Sequence, residues 1–149
     1  MTYQIISERR LKHKVQILNP GGVYAEVKRY ADAKKEQLIL LTLDNEHSVI
    51  SVSFVSIGIV NRTIVHPREV FCRAIDDKAT AIIVCHNHPS GKLKPSKEDI
   101  KITSQLSQAG EIIAIPLLDH IIFSNTGYIS LRTHGYFPEV KGKGKRQVK

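Results

Sequence analysis

The sequence predicts an α/β domain in which a mixed β-sheet is flanked by helices. Apolar runs of strand length alternate along the chain with segments of helical periodicity, an order typical of helices that connect the strands of one sheet. The last two predicted strands are separated only by residues 125–127, so they should pair antiparallel as a hairpin. With 149 residues, 42% of them hydrophobic, the chain can bury the core of one such domain.

The first half of the chain is predicted to form three strands and one helix. Pro-Gly-Gly at 20–22 should end the first strand. Val23, Val27 and Tyr30 then recur at spacings of four and three, which indicates an amphipathic helix over 23–36. The predicted strands lie at 15–19, 37–44 and 48–60, with a turn at 45–47.

The second half is predicted to contain two helices and four strands. Pro67 suits the first position of the first of these helices, and the second begins at a serine and closes on a glycine. The predicted helices lie at 65–77 and 96–110, and the strands at 80–85, 111–118, 119–124 and 128–132. The inward stripe of the helix 65–77 is predicted to be Val70, Phe71, Ala74 and Ile75.

The formal charge of +8 is concentrated at the two ends of the chain. One basic cluster lies at 9–14, and the segment 141–149 carries five basic and no acidic residues. We therefore predict a basic N-terminal segment (1–22), a folded domain (23–137) and a basic disordered tail (138–149). The tail is either merely solvated or gives weak, salt-sensitive attraction to nucleic-acid phosphates.

Neither a membrane segment nor a disulfide framework is expected. No apolar run approaches the roughly 20 residues that cross a bilayer, and the first residues lack the apolar core of a secretion signal. We therefore expect a cytoplasmic protein without a membrane partner. Cys72 and Cys85 are expected to be small buried hydrophobic residues.

The segment from His86 to Asp99 contains the candidate site. Residues two apart in a strand point to the same side, so His86 and His88 can face one point as the strand 80–85 ends. Cys85 and Asn87 should then face away, so Cys85 is a poor ligand candidate. Asp99 falls at the third helical position if Ser96 caps the helix. Two imidazoles and one carboxylate leave the fourth position of a tetrahedral zinc ion open to water, which is the arrangement of a hydrolytic site.

The same residues also allow a simpler interpretation. Ser96 and Asp99 match a capping box, in which both side chains satisfy free amides at a helix start. A single histidine beside the end of a strand usually has no catalytic or metal-binding role. The spacing by itself leaves both interpretations open.

The letters HNHPSGKLKPSKED resemble the JAMM motif of MPN zinc peptidases, H-x-H-x(7)-S-x(2)-D, with His86, His88, Ser96 and Asp99 at its fixed positions. They are more closely similar to the RadC family, and the resemblance covers roughly residues 35–133. Further RadC-like stretches lie at 65–71, 118–120 and 127–132. The resemblance implies a curved mixed sheet flanked by helices, of MPN type and related to the cytidine deaminase fold.

The resemblance also implies roles for individual residues. Zn²⁺ would be held by His86, His88 and Asp99, and Ser96 would donate a hydrogen bond to the developing oxyanion. In JAMM domains a glutamate at the end of the first helix transfers the proton, and Glu36 occupies that place here; the less favoured alternative is a surface charge at a helix end. The substrate would be a peptide or protein, with a possible link to DNA repair or mobile elements.

Several alternatives were weighed against this hydrolase. A TIM-barrel amidohydrolase needs about 200 residues or more, and a zinc deaminase needs a P-C-x-x-C ligand pair that is absent from this sequence. The remaining alternative is a catalytically silent metal-containing module that binds DNA or a protein through its basic termini. His120 could hydrogen-bond behind a metal ligand or be an ordinary buried histidine.

The chain departs from the RadC pattern in one strand. Ser53 and Phe54 stand where RadC proteins commonly carry an acidic pair. Longer members also carry an N-terminal helical region, whereas roughly 35 residues precede the matched segment here. The expectation of DNA binding therefore depends on the basic termini alone.

Overall fold

The computed structural model describes residues 3–10, 14–57 and 65–138. Its strands are β1 (Tyr3–Arg10), β2 (Leu38–Leu43), β3 (Val49–Ile57), β4 (Ala81–Asn87), β5 (Leu117–Ser124) and β6 (Gly127–Ser130). Its α-helices are α1 (Pro20–Val27), α2 (Pro67–Asp76) and α3 (Lys97–Ile113). The six strands form one sheet in the order β1-β3-β2-β4-β5-β6.

The sheet is mixed, as predicted. β4 and β5 pair parallel, and the other neighbouring strands pair antiparallel. A parallel pair needs a crossover, and α3 supplies it between β4 and β5. This connection brings the N-terminus of α3 to the carboxyl end of β4, where the histidine motif lies.

The sheet has a hydrophobic core on each face, because alternate residues of the central strands point to opposite sides. The core beside α1 includes Val23, Val27, Ile39, Leu41, Leu43, Ile83 and Phe123. The core beside α2 and α3 includes Leu38, Leu40, Val70, Phe71, Ile82, Val84 and Leu106. Helices on both faces of a mixed sheet confirm the predicted α/β class.

The first helix begins and ends earlier than predicted. The Pro-Gly-Gly segment starts α1, because the Asn19 side chain accepts a hydrogen bond from the Gly22 amide at 3.0 Å and Pro20 takes the first helical position. The helix is followed only by a short 3₁₀ turn, Lys28–Tyr30. The predicted strand at 15–19 is wrong too, since this segment joins the sheet only through an isolated Gln16–Ser48 bridge.

The last helix is longer than predicted. α3 passes Gly110 and continues to Ile113, so the predicted strand 111–118 is wrong and β5 is a single strand from Leu117. Gly110 is needed for packing, because a Cβ there would lie 2.6 Å from the carbonyl oxygen of Ile115. The prediction that α3 ends at Gly110 was therefore wrong, because this glycine lies inside the helix.

Two side chains of α2 lie outside their predicted environment. Val70, Phe71 and Ala74 are buried as predicted, but Ile75 is 56% exposed. Cys72 is exposed, contrary to expectation, whereas Cys85 is buried. In a ten-residue helix only one stripe can face the sheet, and both mispredicted positions lie outside it.

The N-terminal segment contributes a strand that the sequence did not predict. β1 pairs antiparallel with β3 at the edge of the sheet. Residues 11–13 of the basic cluster, residues 58–60 of a predicted strand and residues 139–149 of the predicted tail lie outside the described residues. The proposed division at residues 22 and 137 stays a prediction.

Among the described helices, none has the length and apolar character required to span a membrane.

Candidate functional site

The alternation of β4 sets the direction of the motif side chains. Val84 belongs to the core beside α2 and α3, so His86, two residues further on, points to that side, whereas Cys85 belongs to the opposite core. Asn87 ends the strand and is fully buried, and His88 follows at once. This confirms that Cys85 points away from the two histidines.

Asp99 joins the two histidines. Its Oδ1 lies 2.6 Å from Nδ1 of His86, and its Oδ2 lies 3.2 Å from Nε2 of His88. Only 2% of Asp99 is exposed. The structure therefore brings the three predicted ligands into mutual contact through one carboxylate.

The predicted capping box at the start of α3 holds Asp99 in place. Ser96 Oγ accepts a hydrogen bond from the Asp99 amide at 3.0 Å, and Asp99 Oδ2 accepts one from the Ser96 amide at 2.8 Å. The simpler interpretation of SKED is thus confirmed, and it is compatible with a site because the same carboxylate also reaches His86 and His88. Ser96 is exposed, and its proposed role toward an oxyanion stays a prediction.

Glu36 reaches the other side of the His86 ring. Its Oε2 lies 3.3 Å from Nε2 of His86, and its side chain is 57% exposed. Glu36 was expected at the end of the first helix, but it lies in the loop before β2. It still reaches the site, because Leu38, two residues later, pairs with His86 in the sheet.

Asn87 fixes the loop that carries Glu36. Its Oδ1 accepts a hydrogen bond from the Gln37 amide at 2.6 Å, and its Nδ2 donates to the Lys35 carbonyl at 3.1 Å. From the sequence, Asn87 was expected only to face away from the two histidines. These contacts are made across the sheet by residues far apart in sequence, so no local pattern indicates them.

Replacing Asn87 with aspartate is expected to loosen this loop without changing the size of the side chain. A carboxylate can accept from the Gln37 amide but cannot donate to the Lys35 carbonyl. Hydrogen exchange of the Gln37 amide and tryptic cleavage after Lys34 or Lys35 should both become at least several-fold faster. The exposed Asn45→Asp change is the matched control, and equal exchange in all three proteins would contradict the assignment.

The carboxylates and histidines shift one another's pKa. Burial alone would lower the pKa of His86, but hydrogen bonds with Asp99 and Glu36 outweigh burial and raise it to about 9. Contact with Asp99 likewise raises the pKa of His88. Burial opposes ionisation of Asp99, but both histidines hold its pKa far below the ordinary value, and contact with His86 lowers the pKa of Glu36. Metal-free protein therefore carries a proton on His86 at neutral pH, which a binding cation must displace.

The loop after β4 fixes the orientation of His88. Its Nδ1 donates to the carbonyl of Lys92 at 2.7 Å, which leaves Nε2 as the nitrogen that faces Asp99. The turn that allows this contact passes through Gly91, whose φ of +80° is strained for other residues. The Gly91 amide also donates to the His88 carbonyl at 2.9 Å.

His120 lies near His86, with the two ring centroids 6.5 Å apart. It is fully buried on β5, and its Nδ1 lies 2.7 Å from Oγ1 of Thr103. Its Nε2 is buried and has no hydrogen-bond partner among the described residues. A buried polar atom without a partner costs about 1–3 kcal/mol, so such an atom marks a place where a ligand would fit.

The donors present fit a zinc ion. Two sets of three residues place their donor atoms within 4.8 Å of one another: Glu36, His86 and His88, and His86, Asp99 and His120. Imidazole nitrogen and carboxylate oxygen are both ordinary zinc ligands. The predicted ligands His86, His88 and Asp99 are divided between these two sets, and His86 belongs to both.

A cleft lies beside one of the candidate ligands. It has a volume of about 250 Å³ and opens beside His88, between the loop 31–34 and the residues Ser124 and Asn125. Of the candidate ligands, His88 lines this cleft.

Comparison with known proteins finds one domain family and several similar curated proteins. The profile of the RadC-like JAB domain matches residues 17–136. A UPF0758 protein of Methanospirillum hungatei is 43% identical over 127 residues, which cover 84% of this chain and 56% of the relative. A UPF0758 protein of Clostridium novyi is 47% identical over 119 residues, which cover 78% of this chain and 51% of the relative. A UPF0758 protein of Clostridium botulinum is 49% identical over 102 residues, which cover 68% of this chain and 45% of the relative. The chain thus spans about half the length of these relatives.

Proposed function

Since this chain belongs to the RadC-like JAB domain family, we propose that it is a zinc-dependent hydrolase of JAMM type that cleaves peptide or isopeptide bonds. The match confirms the resemblance to RadC that the motif letters indicated. The names of the relatives state no activity, so the reaction is inferred from the site.

One observation carries the proposal above all others. A single buried carboxylate, Asp99, contacts both motif histidines, while the more exposed Glu36 contacts His86 from the other side. Buried ligands beside an accessible acid–base group are what metal-assisted hydrolysis requires. A purely structural zinc site would more commonly be closed by four protein ligands.

The candidate residues of this chain would have different roles in the reaction. His86, His88 and Asp99 would hold a zinc ion, which when bound lowers the pKa of water toward about 7 and polarises a carbonyl. Glu36, whose lowered pKa keeps it ionised, would accept the proton of the attacking water and pass it to the leaving amine. Ser96, at the exposed rim, would donate its hydroxyl proton to the oxyanion, since its Oγ accepts from the Asp99 amide and its proton stays available.

The catalytically silent module that binds DNA or a protein is the competing proposal. It rests on the basic character of residues 9–14 and 141–149. Most of these residues lie outside the described part of the chain. The contacts among Asp99, His86 and Glu36 support the hydrolase.

Purified wild-type protein and the variant His88→Ala test the proposed function. The wild type is expected to contain roughly one zinc ion per chain by elemental analysis and to cleave peptide or isopeptide bonds in a zinc-dependent manner, whereas His88→Ala loses both properties. Equal zinc in the two proteins would contradict the site. DNA retained in rising salt without any cleavage would support the silent module instead.

A further inference from the structure

Two surface segments beside the candidate site are rich in lysine. One is the loop 31–37, which contains Glu36, and the other is the segment 89–98, which connects β4 to α3. Their exposed lysines are Lys34, Lys35, Lys92, Lys94 and Lys97. The two segments together contain five basic and three acidic residues, and one of the acidic residues, Glu36, contacts His86. The surface beside the candidate ligands therefore favours an acidic ligand over a basic one.

Hydrogen bonds hold lysines of both segments beside the same end of β4. The carbonyl of Lys35 accepts a hydrogen bond from Nδ2 of Asn87 at 3.1 Å, and the carbonyl of Lys92 accepts one from Nδ1 of His88 at 2.7 Å. Asn87 is the last residue of β4 and His88 follows it, and both are buried. The two lysines are therefore anchored to neighbouring buried residues, while their own side chains are exposed.

A further lysine lines the cleft beside His88. This residue is Lys34, whose loop is held by Asn87. The opposite wall includes Ser124, which is 2% exposed and whose carbonyl accepts a hydrogen bond from the Tyr24 hydroxyl at 2.8 Å. With both walls fixed in this way, the cleft of about 250 Å³ can receive part of a peptide without rearranging, but it is far too small for a nucleic-acid duplex.

We propose that Lys34, Lys35 and Lys92 form a lysine rim that selects peptide or protein substrates with aspartate or glutamate close to the scissile bond. This selectivity rests on the proposed function, because it belongs to the same site. Lysine ammonium groups attract carboxylates, and their summed field raises the local concentration of an acidic segment. The cleft also contains the carboxylate of Asp32. A peptide can place a neutral residue beside Asp32, whereas a nucleic-acid strand carries a charge at every phosphate, so the peptide is the better fit.

Replacing Lys34 and Lys92 together with glutamine tests the lysine rim. The change removes one charge from each segment and keeps the backbone carbonyl that orients His88. Zinc-loaded wild type and this double variant should each digest a peptide library prepared from a proteome, with the cleaved bonds identified by mass spectrometry. The wild type is expected to favour bonds with aspartate or glutamate nearby, and the double variant to lose this preference while its zinc content stays that of the wild type.

Matched synthetic peptides give the size of the effect. One peptide carries aspartate or glutamate beside the bond that the wild type cleaves, and the other carries asparagine or glutamine there. Because each exposed ion pair contributes little, kcat/KM of the double variant for the acidic peptide should fall by about three- to tenfold, mainly through KM, and stay unchanged for the neutral peptide. The difference should shrink at high salt, which screens exposed charges. The matched control combines Lys14→Gln with Lys78→Gln, two exposed lysines outside both segments, and should behave as the wild type.

Cleavage by the wild type without a preference for acidic residues would overturn the lysine rim and leave the proposed function intact. An unchanged preference in the double variant would do the same. Wild-type protein that cleaves no peptide would remove both. A single-stranded oligonucleotide that inhibits cleavage of both peptides equally in the wild type, but not in the double variant, would also overturn this selectivity, because it would assign the lysine rim to nucleic acid.

Discussion

Glu36→Gln is expected to lower the rate of amide hydrolysis by about 10²–10⁴-fold while zinc stays bound. The change removes the group that would take the proton from the attacking water. It leaves the size of the side chain nearly unchanged, and the three predicted ligands remain. Hydrolysis of a peptide or isopeptide substrate and zinc content by elemental analysis should be measured on the same preparation.

A matched control makes this result specific. Glu98 is exposed in the first turn of α3, next to Asp99 in sequence, and Glu98→Gln removes the same charge without reaching His86. This variant should cleave at the rate of the wild type. Cleavage by Glu36→Gln at the wild-type rate would contradict the role of Glu36, and a joint loss of zinc and activity would indicate that Glu36 is a ligand instead.

The contact of Asp99 with the two motif histidines was predictable because it depends on local periodicity in one strand and one helix. Strand alternation alone places His86 and His88 apart from Cys85 and Asn87. The serine that caps α3 fixes Asp99 at the third helical position, where its carboxylate turns back toward the strand end. Each of these inferences uses neighbours within one element, where sequence spacing and spatial direction are coupled.

The rest of the site depends on pairing between elements, which spacing does not encode. Glu36, a candidate from the resemblance to JAMM domains, contacts His86 although the predicted helix around it is wrong, because its place directly before the buried β2 matters more than the helix end. Its distance from His86 is set by the antiparallel register of Leu38 with His86. Asn87 binds the same loop through the opposite face of β4.

His120 shows most clearly what a single sequence cannot supply. Alternation in β5 correctly indicated a buried position, and burial of a histidine usually means an ordinary core contact. Its nearness to the site arises because β5 lies parallel to β4, with Val84 opposite His120. Only the resulting contacts reveal that one nitrogen is satisfied by Thr103 and the other has no partner among the described residues.

Asp99→Asn is expected to weaken zinc binding by about a hundredfold or more and to destabilise the metal-free protein in a pH-dependent way. Contacts with Asp99 and Glu36 raise the pKa of His86 from 6.5 to about 9, so their stabilisation is full below pH 6.5 and is lost as the pH rises toward 9. The pKa of Asp99 is lowered from 3.8, so its contribution is present above pH 3.8 and is lost only in stronger acid. The contribution of the charged pair to stability is therefore at its full value between about pH 4 and 6.5.

Urea unfolding in the presence of a chelator measures this dependence. At pH 6, removing one partner of the buried pair should lower the free energy of unfolding by about 3 kcal/mol. At pH 9.5 the loss should be clearly smaller, because His86 is mostly neutral there in the wild type as well. Asp76→Asn, at an exposed position of α2, is the control and should change little at either pH. An equal loss at both pH values would contradict the ionic contact between Asp99 and His86, since only the charged form of that contact depends on pH in this range.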